Sequence, residues 1–230
     1  KQWIIQLGTS STDIGRDVSV DSSGNTYVAG FSEGGLDGNT NSGNADIILM
    51  KYNSSGIKQW IIQLGTSSEE KAGSVFVDLT GNVYMSGYTY GGLDGNTNSG
   101  SMDIFLVKYN SSGTKQWTSQ HGTSSLEIGK DVSVDSSGNI YVTGTTLGGL
   151  DGNLQNGNGD LYLMKFNSSG TKQWTSQLGT SSIDAVSGMS IDSSGNVFIS
   201  GYTEGGLDGN TNSGNKDIFL VKYNSDGVLQ

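Results

Sequence analysis

Short segments rich in Val, Ile, Tyr and Phe alternate along the chain with polar turns rich in Gly, Asn and Ser. Alternation of apolar and polar residues is typical of β-strands, and no window carries the apolar stripe of period 3.6 that marks a helix. Tight turns at 22–25 and 53–56 and a long polar loop at 32–45 separate the first strands. These strands are predicted at Asp17 to Asp21, Thr26 to Phe31, Asp46 to Tyr52 and Lys58 to Leu64. We therefore predict an all-β protein built of antiparallel hairpins.

The four-strand pattern recurs with a period of 57 residues and without insertions. Each copy opens with Lys-Gln-Trp, and the copies begin at Lys1, Lys58, Lys115 and Lys172. Four antiparallel strands per repeat suit one blade of a β-propeller, whereas solenoid coils usually repeat in fewer residues. We predict a single β-propeller domain over residues 1–230 with four four-stranded antiparallel blades.

The two ends of the chain complement each other in this arrangement. Lys1 to Gly8 is an outer strand without inner partners, and the partners are predicted at 187–192, 196–202 and 217–223 in the last repeat. Pairing of the first segment with the last repeat closes the ring and removes bare sheet edges, which favour aggregation. In the alternative arrangement, two chains exchange terminal strands and form a ring of eight blades.

Three stretches of the repeat carry a resemblance to a known family. They are Val20 to Gly30 (VDSSGNTYVAG), Asp103 to Asn110 (DIFLVKYN) and Ser111 to Trp117 (SSGTKQW). They resemble the SBBP-type bacterial β-propeller repeat, and the resemblance covers the whole chain. It implies the propeller fold and a bacterial extracellular or cell-surface setting. It implies no catalytic residues, because the family is defined by its structure.

Composition excludes several classes of partner. The net charge is -10, the pI is near 4.3 and only 12 residues are Lys or Arg, so we expect no nucleic-acid partner, which would need a clustered basic face. No apolar run approaches the roughly 18 residues that span a bilayer, so we expect no membrane insertion. The chain has no cysteine, which excludes disulfides and thiolate chemistry.

The long loop carries the candidate metal chemistry, because Asp37, Asn39 and Asn41 place oxygen atoms at alternate residues and Asp46 follows. Calcium loops use this spacing with a closing carboxylate, so Ca²⁺ is the candidate cofactor, with a weak predicted affinity of about 10⁻⁴ to 10⁻³ M. The corresponding residues of the later repeats are Asp94, Asn96, Asn98 and Asp103; Asp151, Asn153 and Asp160; and Asp208, Asn210, Asn212 and Asp217. The alternative is a metal-free loop in which Asn, Asp and Gly form turns.

One acidic residue recurs just before the first strand of each repeat. The set is Asp13, Glu70, Glu127 and Asp184. In a closed ring these side chains would converge on one mouth of the central channel and could hold a cation or a basic ligand group. In the alternative, each carboxylate is solvated and bonds nearby backbone amides.

Other candidate residues follow the repeat less closely. The tryptophans at Trp3, Trp60, Trp117 and Trp174 occupy one position of the outer strand and are predicted to pack between blades rather than to stack on sugars. His121 replaces a leucine and has no second histidine for a metal site. The residue next to the long loop varies, as Glu33, Tyr90, Leu147 and Glu204. This variation is expected of a recognition surface, and neutral drift gives the same pattern.

The functional hypotheses rank as a non-catalytic binding or adhesion module, then a passive structural spacer, then a carbohydrate-active enzyme. The loops are nearly identical in every repeat, whereas catalytic sites on propellers are built from dissimilar loops. We therefore predict no enzymatic activity and a protein or glycan ligand. The chain is expected to be a monomer or a strand-exchanged dimer.

Overall fold

The computed structural model describes residues 2–230, so the predicted repeat start at Lys1 lies outside the described residues. This part of the chain forms fifteen strands and four single turns of 3-10 helix. The strands are β1 Asp13–Val20, β2 Thr26–Ser32, β3 Asp46–Tyr52, β4 Lys58–Leu64, β5 Glu70–Val77, β6 Val83–Thr89, β7 Asp103–Tyr109, β8 Lys115–His121, β9 Glu127–Val134, β10 Ile140–Thr146, β11 Asp160–Phe166, β12 Lys172–Leu178, β13 Asp184–Ile191, β14 Val197–Thr203 and β15 Asp217–Tyr223. The helical turns are Leu36–Gly38, Leu93–Gly95, Leu150–Gly152 and Leu207–Gly209. Over residues 2–230, no helix has the length and apolar character of a membrane span.

The strands form four antiparallel sheets in which strands consecutive in sequence are neighbours. We call these sheets the first to fourth blade. Their orders are β1-β2-β3-β4, β5-β6-β7-β8, β12-β11-β10-β9 and β13-β14-β15. The predicted all-β class and the four-stranded antiparallel unit are confirmed for the first three blades. The fourth blade contains three strands within the described residues.

The first hairpin of each blade closes on a turn whose aspartate binds the backbone. Asp21 Oδ1 accepts hydrogen bonds from the N–H groups of Ser23 and Asn25, both at 2.9 Å. Gly24 has a φ of +76°, in the left-handed region that favours glycine. The same contacts recur at Asp78, Asp135 and Asp192. Residues close in sequence therefore form this turn in every blade.

Strand β1 begins four residues earlier than the predicted start at Asp17. A bulge between Gly15 and Asp17 interrupts the alternation, so the sequence pattern shows only the later part of the strand. Gly30 lies opposite the bulge, where an added Cβ atom would be 1.9 Å from the backbone oxygen of Ile14. Each of the other first strands carries a bulge at the corresponding place.

The chain divides into two compact units. The first unit runs to Asn98 and includes Phe105–Gln120, and the second consists of Ser99–Ile104 and His121–Gln230. The predicted single domain over residues 1–230 stays a prediction.

Each unit contains a buried apolar cluster between two of its blades. In the first unit, Ile47 and Leu49 of β3 lie in one cluster with Val75 and Val77 of β5. In the second unit, the cluster includes Leu161 and Leu163 of β11 and Val186 of β13, and Met189 and Ile191 of β13 pack against it. Alternate residues of a strand face the same neighbour, which is why the apolar pattern of period 2 builds these contacts.

The first segment of the chain differs from the prediction. Residues 2–9 form no strand, and the indole N–H of Trp3 donates a hydrogen bond to the backbone oxygen of Ser54 at 3.3 Å. The Trp3 ring lies so close to Gly56 that an added Cβ atom would be 2.8 Å from it. The segment therefore lies against the first blade, and its predicted pairing with the last repeat is not found in this structure. Closure of a ring, by one chain or by two, stays a prediction.

Candidate functional site

The aspartate of each long loop is held by a lysine in three of the four blades. Asp37 has a φ of +54°, and both of its carboxylate oxygens accept hydrogen bonds from the Lys58 ammonium group at 2.5 and 2.6 Å. The corresponding ion pairs are Lys115 with Asp94 and Lys172 with Asp151. In the fourth blade, Leu229 occupies the position of this lysine in the sequence repeat.

The asparagines of the long loop donate to the backbone of the same loop. Asn39 Nδ2 donates to the backbone oxygen of Leu36 at 2.8 Å, and Asn41 Nδ2 donates to those of Glu33 and Gly43 at 3.0 and 2.8 Å. The Oδ1 atom of Asn41 is buried and has no hydrogen-bond partner. These contacts tie the amide groups of the two asparagines to the backbone of the loop, and the choice between calcium binding and metal-free turns stays a prediction.

Asp46 is buried at the end of the long loop and ties the loop to β4. Its Oδ2 atom accepts hydrogen bonds from the Ser42 N–H at 2.8 Å and from Gln63 Nε2 at 3.1 Å. Its Oδ1 atom is buried without a hydrogen-bond partner. Gly65 lies against this oxygen, since an added Cβ atom would be 2.1 Å from it.

The predicted calcium ligands do not form a complete coordination set. Asp37 is neutralised by Lys58, and the buried side-chain oxygens of the first loop that lack a hydrogen-bond partner are Oδ1 of Asn41 and Oδ1 of Asp46. Calcium takes six to eight oxygen ligands. Across residues 2–230, no group of three or more His, Asp or Glu residues comes together in a way that could hold a metal ion. The residues therefore do not fit the predicted site as they stand, and calcium binding stays a prediction.

The recurring acidic residues hold the loops that enter each blade. Glu70 is fully buried and accepts hydrogen bonds from the Thr66 N–H and hydroxyl, both at 2.6 Å, and from the Thr89 hydroxyl at 3.0 Å. Glu127 makes the same contacts with Thr123 and Thr146. Asp13 and Asp184 bind the threonine four residues earlier in the same way.

Burial decides what this acidic set can do. Glu70, Glu127 and Asp184 are buried, so the alternative of a solvated carboxylate is wrong for them, although the predicted bonding to backbone amides is found. Burial opposes ionisation of Asp13, but hydrogen bonds from Ser32 and Thr9 outweigh it and lower its pKa. These carboxylates already accept strong hydrogen bonds inside the protein. Their predicted role as ligands at a channel mouth stays untested, and their burial disfavours it.

The tryptophans pack against the turns of the following blade. The Trp60 and Tyr27 rings lie 6.0 Å apart, and an added Cβ atom at Gly113 would be 3.1 Å from Trp60. Trp174 lies in the same way against Gly227. The predicted packing role is confirmed for these two tryptophans.

The His121 side chain packs against an aromatic side chain. Its ring lies 5.2 Å from that of Phe166. Burial, and after it the positive charge of Lys172, lower the pKa of His121 to about 4, and the Asp151 carboxylate opposes the shift. The imidazole is therefore neutral at pH 7.

A cluster of aromatic and charged side chains lies where strands of the first two blades end. Lys71 Nζ lies 4.6 Å from the centre of the Phe31 ring, and the Arg16 guanidinium lies 5.4 Å from it. Lys71 also pairs with Glu69 at 3.1 Å. We call these residues, with Tyr88 and Tyr90, the blade-end patch.

The tyrosines extend the blade-end patch towards the long loop. The Tyr88 hydroxyl donates to Glu69 Oε1 at 3.1 Å, and its ring lies edge-on to Tyr90 at 6.1 Å. Burial and the Glu69 charge raise the pKa of Tyr88, so its hydroxyl stays protonated and donates. Tyr90 is exposed.

The sequence pointed to one member of the blade-end patch and missed five. Tyr90 was predicted as a recognition residue, but Arg16, Phe31, Glu69, Lys71 and Tyr88 were not. A signal existed, because the residues 57 positions further on from Phe31 and Lys71 are Tyr88 and Ile128. In the fourth blade, Lys216 lies 4.0 Å from the centre of the Tyr202 ring, and its Nζ lies 3.8 Å from Glu204 Oε1. The corresponding end of the fourth blade therefore carries a different set of aromatic and charged residues from the blade-end patch.

Comparison with known families finds one repeated match. The model of the SBBP family, described as a beta-propeller repeat, matches residues 2–37, 59–94, 116–151 and 173–208. These four stretches cover more than half of the chain and follow its period.

Individual proteins that match the chain share less than a third of its residues over the aligned stretch. The chain is 27% identical to an uncharacterized WD repeat-containing protein of Acanthamoeba polyphaga mimivirus, over 72% of this chain and 15% of that protein. It is 28% identical to the regulatory protein FlaEY of Caulobacter vibrioides, over 80% of this chain and 21% of that protein. A solved protein of unknown function from Bacteroides caccae matches 94% of this chain and 58% of its own with a TM-score of 0.52 and 9% identity, a likeness of fold alone.

Proposed function

The chain belongs to the SBBP beta-propeller repeat family, and we propose that it is a non-catalytic module that binds another protein through the ends of its blades. The observation that carries this proposal is the contrast between the repeated framework and the blade-end patch. Turn aspartates and outer-strand tryptophans recur in every repeat, whereas the residues of the patch change from blade to blade. Variation on a fixed scaffold is typical of recognition surfaces.

The chemistry of the patch suits a protein segment. Tyrosine and arginine are the residues that most often dominate binding energy at protein interfaces. Lys71 and Arg16 both lie near the Phe31 ring, and Glu69 binds both Lys71 and Tyr88. The side chains are therefore ordered before a partner arrives, which lowers the entropic cost of binding. Charges of both signs match the mixed side chains of a peptide better than a neutral glycan.

The placement of the carboxylates disfavours an enzyme. Glycoside hydrolysis needs two carboxyl groups that flank the scissile bond. Glu70 and Glu127 are buried and bound by threonines of their own blades. Relatives that carry the names WD repeat-containing protein and regulatory protein support an interaction role. A bacterial extracellular or cell-surface setting, which the family resemblance implies, stays a prediction.

Selection from a random peptide library displayed on phage tests the proposal. The selected peptides are synthesised and titrated by calorimetry into the unmodified protein and into two variants. We expect Tyr90→Ala to weaken binding about tenfold or more, as for a central aromatic contact. Leu79→Ala is the matched control, because Leu79 is exposed in the turn at the other end of β6 and should leave binding unchanged.

Three outcomes contradict the proposal. Peptides that bind both variants equally would exclude the blade-end patch. Failure to select any peptide, together with hits on a glycan array, would favour a carbohydrate ligand. Failure of both the peptide selection and the glycan array would favour the hypothesis of a passive structural spacer. Circular dichroism of Tyr90→Ala must match that of the unmodified protein for the comparison to hold.

A further inference from the structure

Arg16 is the only arginine of the chain, and it is exposed on β1. Its guanidinium group lies 5.4 Å from the centre of the Phe31 ring. Among residues 2–230, no carboxylate lies within ion-pair distance of this group. A guanidinium group has five N–H donors in a planar fork. The donors of Arg16 are therefore open to a ligand.

Arg16 lies where β1 faces the second blade. The neighbouring Asp17 accepts a hydrogen bond from the Val75 N–H of β5 at 2.8 Å. The Phe31 ring, which contacts Arg16, also lies 4.6 Å from Lys71 Nζ of β5. The surroundings of Arg16 are therefore formed by β1, β2 and β5, which all belong to the first unit.

The other charges of the blade-end patch neutralise one another. Lys71 Nζ lies 3.1 Å from Glu69 Oε2, and Glu69 Oε1 accepts a hydrogen bond from the Tyr88 hydroxyl at 3.1 Å. Asp17, which follows Arg16 in the sequence, has its carboxylate bound to the backbone of β5. Arg16 therefore gives the patch a net positive charge on a chain whose net charge is -10.

Two tyrosine rings lie beside this positive charge. Burial and the Glu69 charge raise the pKa of Tyr88, and the Arg16 charge opposes the shift, so Arg16 lies close enough to act on this hydroxyl. The Tyr88 ring stands edge-on to that of Tyr90 at 6.1 Å, and Tyr90 is exposed. A ligand group at Arg16 therefore has an aromatic surface within reach.

The corresponding place in the second unit lacks this combination. Lys130 is exposed at the position that Arg16 has in the repeat, but Thr145 stands at the position of Phe31. Thr145 offers no aromatic ring to the Lys130 side chain, and a lysine presents a point charge instead of a fork. A cation at this position is therefore common to both units, whereas a guanidinium fork held against a ring is specific to the first.

We propose that the Arg16 guanidinium group binds the carboxylate of an aspartate or glutamate side chain of the partner, so that the blade-end patch recognises an acidic peptide. This inference rests on the proposed function, because it names the chemistry of the segment that the patch binds. The planar fork of arginine matches the two oxygens of a carboxylate. Phe31 restricts the Arg16 side chain before binding, which lowers the entropic cost. A carboxylate carries a single negative charge, so this acidic chain repels it less than it repels a phosphate group.

Calorimetric titration of the peptides selected on phage tests this inference in a double-mutant cycle. In each peptide that Tyr90→Ala weakens, every Asp and Glu is changed in turn to Asn or Gln. We expect one such change, and Arg16→Gln in the protein, each to weaken binding about fivefold, the upper end for an exposed ion pair. The two changes together should cost no more than either alone, because they remove the same contact. Arg16→Lys should retain part of the affinity, since the charge remains and the fork is lost.

Lys130→Gln is the matched control, because it removes one exposed positive charge from the corresponding place in the second unit. It should leave binding unchanged. A loss of equal size in Lys130→Gln would show a general effect of net charge and overturn the assignment to Arg16. Circular dichroism shows whether the variants are folded. If Arg16→Gln does not fold, Arg16→Lys decides in its place, and an unchanged affinity of Arg16→Lys would overturn the contact with the fork.

The remaining outcomes separate this inference from the proposed function. Peptides that lose affinity with Tyr90→Ala but bind Arg16→Gln normally would overturn the acidic contact and leave the proposed function intact. Tighter binding of a peptide that carries phosphoserine in place of its acidic residue would assign the site to a phosphate group and overturn the carboxylate. Failure to select any peptide that depends on Tyr90 would contradict the proposed function and the acidic contact together.

Discussion

At the scale of the residue, the carboxylates of each blade serve the turns and loops of the same blade. Burial opposes ionisation of Asp21, but hydrogen bonds from Asn25, Ser23 and Tyr27 outweigh it and lower its pKa. The pKa of Asp78 is lowered in the same way through Asn82 and Thr80. Because these carboxylates titrate at lower pH in the folded protein than in the unfolded chain, their contribution to stability is lost as the pH falls through the lowered pKa.

His121 makes stability depend on pH in a higher range. Its pKa is about 6.5 in the unfolded chain and about 4 in the folded protein, so the unfolded state binds the proton first as the pH falls. We expect the free energy of unfolding to decrease between these two values, by up to about 3 kcal/mol from this residue. In His121→Leu this part of the pH dependence should be absent, because the other repeats carry Leu7, Leu64 and Leu178 at this position.

Urea unfolding at a series of pH values between 4 and 7 measures this effect, with both chains followed by tryptophan fluorescence. The carboxylates titrate in both proteins, so the difference between the two curves isolates His121. Parallel curves would show that the imidazole is protonated as easily in the folded protein as in the unfolded chain.

At the scale of the element, the outer strand and the long loop attach to the rest of the blade through a few side chains. Gln63 of β4 accepts from the Leu36 N–H at 3.0 Å and donates to the Gly34 oxygen and to Asp46. Gln177 of β12 makes the corresponding contacts with Leu150, Gly148 and Asp160. The outer strand therefore fixes the long loop of its own blade, and its tryptophan contacts the next turn.

Trp60→Ala tests how much the outer strand contributes to stability. We expect a loss of about 3 kcal/mol, because the half-buried indole packs against Tyr27 and Gly113. Trp3→Ala makes the same change in a more exposed ring and should cost less. Chemical denaturation of both variants gives the comparison, and equal losses would contradict the packing role assigned to β4.

Calcium binding by the long loops is a prediction that the fourth blade tests most directly. The ammonium groups of Lys58, Lys115 and Lys172 neutralise the loop aspartates of the first three blades, and Leu229 replaces this lysine in the fourth. We expect any heat in a calcium titration at millimolar concentration to disappear in Asp208→Ala and to persist in Asp37→Ala. Absence of heat and of any change in melting temperature in the unmodified protein would remove the metal hypothesis.

At the scale of the whole molecule, the chain divides into two compact units, and each unit has a buried apolar cluster of its own. The same repeat therefore builds the core of each unit from contacts between neighbouring blades of that unit.

The sequence by itself determined the repeat, the order of the strands within a blade and the turns between them. The bounds of β3 and β4 agree with the prediction because alternation of apolar residues and the Asx turns act between residues close in sequence. The long-loop residues were located correctly, but their roles were only partly foreseen. The partners of Asp37 and Asp46, namely Lys58 and Gln63, come from another strand that the sequence pattern does not connect to them.

Only the tertiary structure decided which copies of an identical segment are covered. Residues 1–7 and 58–64 share one sequence, yet the latter form β4 and residues 2–7 form no strand. Leu163 is buried and Leu220 is exposed, although both occupy the same position of the repeat. Burial depends on which blade lies beside a segment, and a repeat of 57 residues carries the same pattern whether or not that neighbour is present.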